Sequence, residues 1–89
     1  MGMNKINRDL MNMAPVKQSA TGTMMVIDAV QDLPAHLQLI AITAAFKLMS
    51  DRFGMPVQDA FTVADNIMND AEGKRVEFAA VRMYLENEV

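Results

Sequence analysis

The chain contains no cysteine and no tryptophan, and it has a single histidine, His36, and a single tyrosine, Tyr84. Without cysteine no disulfide can brace the fold and no thiolate zinc site exists, which suits a reducing compartment. With one histidine, a metal centre or a general-base machine would have to be assembled almost wholly from carboxylates. Charge of one sign is also lacking as a block. Residues 1–31 carry Lys5, Arg8 and Lys17 against Asp9 and Asp28, and residues 32–89 carry five basic and nine acidic side chains, for a net charge of −3. General affinity for nucleic-acid phosphates is not expected from that balance. Long apolar runs are missing too. The longest, Leu37 to Phe46, is interrupted by Thr43 and falls short of the roughly 20 residues that span a bilayer. No signal peptide is visible, and the position 6 hydroxyl of a myristoylation pattern is replaced by Ile6. Met1-Gly2 ahead of Met3 fits a cloning remnant, with Met3 then the natural start.

Apolar content is the surplus: 52% of 89 residues, ten of them methionine. One domain of this size buries about 60–65% of its extended surface and has a thin stability margin. Self-association is the simplest outlet for excess apolar surface. The stretch Pro34–Phe53 concentrates the surplus. Its polar residues His36, Thr43, Lys47 and Ser50 fall seven, four and three apart, which is one helical stripe, and Asp51 widens it. Nearly everything else is apolar, giving an arc roughly twice the ~100° of an ordinary surface helix. Pro34 suits a first helical turn, Asp32 could accept its free N–H groups, and Gly54 suits the left-handed closing residue. Such a helix must be covered from several sides.

The flanking segments follow the same grammar. Residues 3–13 space Ile6, Leu10 and Met13 as a short helix with Asn4 as its cap, ended by Pro15. Residues 14–22 read as a polar loop, after which Thr21 or Thr23 caps a second helix with Met24, Ile27, Val30 and Leu33 inward. Beyond Gly54, Pro56 opens a helix with Val57, Phe61, Ala64 and Met68 on its apolar face, widened by Val63 and Ile67 and closed by Gly73. A last helix, about Lys74 to Asn87, turns Phe78, Val81 and Leu85 inward, supported by Val76 and Tyr84, with Arg75, Glu77, Arg82 and Glu86 outside. No strand is expected. The expected fold is all-α: a compact bundle of four main helices with a short N-terminal helix, in one domain whose residues 1–22 form an N-terminal segment and loop and residues 23–89 the bundle.

Known chemical patterns fail on spacing. His36 and Ser50 lie fourteen residues apart on one helix, about 21 Å, so they cannot form a nucleophile pair within a chain. An EF-hand placed on Gly73 needs oxygen ligands where Met68 and Ala79 stand. Gly73-Lys74 lacks the rest of a P-loop. The helix after Gly54 carries Asp59, Asp65 and Asp70 and no cation, unlike a DNA-recognition helix. No catalytic residue, cofactor or metal is expected. Two surfaces remain. Lys17, Ser19, Thr21, Gly22 and Thr23, with Arg8 as a second cation, offer charge, hydroxyls and a helix start to a small phosphate-bearing ligand such as a nucleotide; the alternative is an ordinary linker. Leu39, Ile42 and Phe46, with Met24 and Met25, offer an apolar interface.

Residues 32–88 resemble short early-region proteins of tailed bacteriophages in Leu33-Pro34, the Phe46 to Phe53-Gly54 stretch, Ala64-Asp65, and Phe78, Ala80, Val81, Tyr84 and Leu85 before the terminal acid. The resemblance implies a small accessory protein acting in the host cytoplasm by binding and disabling a host component, and it carries over no catalytic residue. The expected function is therefore a non-enzymatic, homo-oligomeric inhibitor or adaptor of a host protein, with the sequestering of a phosphate-bearing ligand as the alternative. Neither nucleic acid nor membrane is expected as a partner.

Overall fold

Helical spacing dominates the chain, and the computed structural model, which describes residues 5–88, is 76% helix and 5% strand. Its elements are α1 Arg8–Asn12, α2 Val16–Val30, α3 Ala35–Phe53, α4 Val57–Met68, β1 Asn69–Asp70, β2 Gly73–Lys74 and α5 Val76–Glu88. The fold is an all-α bundle of four main helices and one short N-terminal helix. It is flat, 39 × 33 × 19 Å. A thickness of 19 Å is about two helix diameters. Two layers leave no interior slot in which any helix could be enclosed on all sides. No helix among the described residues is long and apolar enough to cross a membrane.

Prolines and glycines set the boundaries. Pro15, Pro34 and Pro56 are each the residue immediately before a helix, extended in backbone and without a side-chain cap. Asp32 does not cap α3. Instead the Gln38 side chain donates to the carbonyls of Gln31 and Leu33 at 3.1 and 3.0 Å and so ties down the α2–α3 turn. Gly54 has φ +70°. Its N–H donates to Asp51 and that of Met55 to Ser50, at 3.3 and 2.9 Å, which is the paired Schellman closure of a helix. A Cβ is strained at that φ, although it would meet the Lys5 side chain only at contact distance, 3.4 Å.

The core is small and off centre. Ala20 and Ile27 of α2 pack with Phe78 and Val81 of α5, with Val16, Met24, Ile67, Met68 and Tyr84 around them. Among the described residues, Met55, Ala60 and Val63 are the other buried apolar residues, and only Val63 is wholly enclosed. The Tyr84 hydroxyl donates to the Asp28 carboxylate, with the Gln31 amide 3.3 Å away, linking the C-terminal ends of α5 and α2.

Several expectations fail locally. The helix over residues 3–13 shrinks to Arg8–Asn12, capped by Asn7, whose side-chain oxygen accepts from Leu10 N–H at 2.8 Å. Asn4 lies outside the described residues. Leu10 and Met13 point outward, while Ile6 is half-buried and its N–H donates to Phe53 at 3.0 Å. The loop at 14–22 is instead mostly the first half of α2. Thr23 caps nothing: its hydroxyl donates back to the Ser19 carbonyl at 2.9 Å, and that of Ser19 to Pro15 at 2.8 Å. Val16, Ala20, Met24 and Ile27 form a continuous inward face across the expected boundary at residue 22, so burial against Phe78 outweighs the weak helix preference of Ser, Thr and Gly. In α4, Val63 and Ile67 face in as expected and Val57 and Met68 are half-buried, but the face is rotated so that Ala60 is buried while Phe61 and Ala64 are exposed. Gly73 does not close a helix. It lies in a two-residue antiparallel hairpin, Asn69 opposite Lys74 and Asp70 opposite Gly73, fastened by Glu72 N–H donating to Asp70 Oδ1 at 2.9 Å. Val76 and Leu85 of α5 are exposed and Arg75, just ahead of it, is half-buried, whereas Phe78, Val81 and Tyr84 face in as expected.

Gly22 provides a direct check on the helical assignment. It is interior to α2, and a Cβ there meets nothing within 4 Å. Gly22→Ala should stabilise the protein by about 0.5–1 kcal/mol, raising the melting temperature by a few degrees. A thermal melt by circular dichroism reads this; a lower melting temperature would restore the loop.

Candidate interaction surface

α3 is the longest helix and is sparsely covered. α2 packs mainly on α5, and α1 on α4, so α3 packs less extensively on each of its neighbours α2 and α4 than those pairs pack on each other. Along its 19 residues, Ser50 alone is buried. This reverses the expected polar stripe at one end: the hydroxyl-bearing side chain faces in, while Leu39, Leu48 and Ile40 are 69%, 68% and 57% exposed. The physical reason is steric. Where α3 turns into α4 the two helices come closest, and the small Ser50 lies at that corner with buried Met55 and Ala60. The other members of the stripe, His36, Thr43, Lys47 and Asp51, are exposed as expected, and Lys47 pairs with Asp51 at 3.2 Å.

Half of α3 faces a cleft. Ile42, Phe46, Met49 and Phe53 form one wall, and Val26 of α2 and Met11 of α1 form the other, around about 390 Å³. That size is within the range of ligand pockets. Phe46 also meets Phe61 of α4, ring centroids 5.1 Å apart at 47°, a tilted pair. Ser50 supplies the one hydroxyl of the lining, and no ionisable side chain lines it. Such a cleft can bury apolar groups, but it holds no acid, base or nucleophile–base pair. Among the described residues no group of three or more His, Asp or Glu side chains could hold a metal ion.

The expected apolar interface is partly assembled. Leu39 and Met25 are exposed, Ile42 and Phe46 are half-buried in the cleft wall, and Met24 is turned into the α2–α5 core. Sequence inspection missed Val26 and Phe53, because both look like core residues until the neighbours of α3 are known.

The expected phosphate site does not converge. On α2, Lys17 and Thr21 share one side and border a shallow hollow with Glu77 of α5, whose carboxylate would repel an anion. Ser19 and Thr23 are two residues further round, about 200° away, and border a different, apolar hollow with Met11 and Val63. Arg8 pairs with Asp59 of α4 at 3.7 Å. Residues 21–23, with Gly22 between the two threonines, lie inside the helix, where backbone N–H groups are taken by carbonyls four residues back. The site required a loop and a helix start at residue 23, and α2 supplies neither.

No family model matches the chain, and neither a curated protein nor a solved structure matches it.

Proposed function

We propose that this chain is a non-enzymatic interaction protein, a phage-type inhibitor or adaptor that binds a host protein in the host cytoplasm and works as a homo-oligomer. The observation that carries this reading is α3. A helix whose large aliphatic side chains stand mostly in water, beside an apolar cleft, has a surface designed to be covered. The resemblance of residues 32–88 to phage early-region proteins supplies the setting. The partner would place an amphipathic helix or an extended apolar segment into the cleft between α2 and α3, the helix-in-groove mode. The phosphate-ligand alternative is not carried further, since its residues lie on opposite sides of α2 and on α1.

The test is affinity capture from bacterial lysate with the full chain, followed by mass spectrometry, beside the same capture with Val26→Glu. Val26 is 48% exposed on the cleft wall, so a carboxylate there should leave the fold intact and remove the captured protein. Equal capture by both chains, or no stoichiometric protein with either, would end this reading. So would turnover that depends on a specific side chain.

A further inference from the structure

The side of α3 turned away from α4 carries a second, separate pattern. Leu37, Ala41, Ala44 and Leu48 recur at intervals of four, three and four, the heptad seam of a coiled coil. Ile40 and Ala45 flank it, and Ala44 is the midpoint of the helix Ala35–Phe53. Among the described residues the seam is left largely open: Leu48 is 68% and Leu37 41% exposed at its two ends and Ala44 is exposed at its centre, with Ala41 half-buried. From these features we infer that α3 pairs antiparallel with α3 of a second copy across a two-fold axis, completing the structure as a dimer. The inference rests on the oligomeric part of the proposed function and names its interface.

Complementarity fixes the direction. In the antiparallel register Leu37 meets Leu48 of the second copy and Ala41 meets its Ala44, so the layers run Leu, Ala, Ala, Leu. Alanine layers at the middle let the two backbones approach to the ~8 Å end of the usual helix–helix range. The same register brings exposed Arg52, in the last turn of α3, beside the α2–α3 turn of the second copy, where Asp32 is exposed. It also opposes the two helix dipoles. A parallel pair would instead set Arg52 against Arg52 and align the dipoles.

Area decides between a second copy and open water. The chain exposes 6531 Å². A folded monomer of its 9.9 kDa is expected to expose about 5,200 Å². The five residues outside the described range could add at most about 800 Å² even as extended chain, leaving an excess of about 500 Å². The α3 seam with its flanks presents on the order of 400 Å² of apolar surface per copy, so a pair would bury about 800 Å², the size of a weak, concentration-dependent association.

The native chain has no cysteine, so engineered ones report the register cleanly. In the antiparallel pair the two copies of residue 48 are eleven residues apart along the axis, about 16 Å. Leu37→Cys and Leu48→Cys should each fail to form a disulfide-linked dimer alone and should form one when mixed. Analytical ultracentrifugation of the full chain should show a concentration-dependent dimer. Leu48→Glu, at an exposed position, should raise its dissociation constant about a hundredfold or more with helicity unchanged. Cross-linking of Leu48→Cys with itself would mean a parallel pair and overturn the proposal. A dimer indifferent to Leu48→Glu would move the interface elsewhere and overturn it while leaving the oligomeric reading intact. A chain monomeric at every concentration would overturn both. If it is monomeric and Leu48→Glu abolishes capture of a lysate protein, the seam belongs to the host partner.

Discussion

Phe78→Ala should unfold most of this protein at room temperature, or leave it within about 1–2 kcal/mol of doing so. Phe78 is 5% exposed and joins α5 to Ala20 and Ile27 of α2 in a buried apolar cluster that spans those two helices. Truncating a buried phenylalanine costs about 3–5 kcal/mol, from lost transfer energy and from the cavity that remains. An 89-residue domain has about 5–13 kcal/mol in total, and one with so few enclosed side chains belongs near the lower end. The cavity would open into hollows that already border Phe78 on two sides, so neighbouring side chains have little to collapse onto. Urea denaturation followed at 222 nm measures this. A loss under about 1 kcal/mol would mean that α2 and α5 do not hold the fold together. The comparison should be made at one protein concentration, because the proposed dimerisation would add stability by mass action.

Thr21→Pro should be nearly as damaging, and it separates two descriptions of residues 14–22. In a loop, a proline at an exposed threonine is close to neutral. In α2 it removes the N–H of residue 21 from its bond to the Lys17 carbonyl, and its ring collides with that carbonyl. The cost is then about 3 kcal/mol or more. Thr21 itself is exposed, so lost packing contributes little and the effect isolates the backbone. Preserved helicity and an unchanged denaturation midpoint would return the segment to a loop and reopen it as a ligand site. With Gly22→Ala predicted to move stability the other way, two adjacent positions give opposite signs only if both lie inside a helix.

Local signals were legible. Pro34 and Pro56 mark helix starts and Gly54 a helix end because each acts through its own φ, whatever surrounds it, whereas Pro15, read as the end of the first helix, also opens α2. Non-local choices were not. In α4 the spacing points to a face through Phe61 and Ala64, widened by Val63 and Ile67, and gives no reason to place Ala60 inside. Packing instead buries Ala60 with Val63. In α2, Gly22 and the hydroxyl residues around it read as a break, and only the placement of Ala20 on Phe78 and Val81 shows why the helix runs through them.

By itself the sequence determined that this is a cysteine-free, all-helical chain with more apolar surface than it can hide, and that most of the surplus lies between Pro34 and Phe53. Periodicity and composition are properties of the chain alone, so they state how much must be covered. Tertiary structure decided what does the covering: α5 takes the inner face of α2, α4 takes the corner at Ser50, and one side of α3 is left with its Leu37–Leu48 seam in water. That outcome depends on which distant segments reach one another within two layers, and spacing along a single helix carries no information about it.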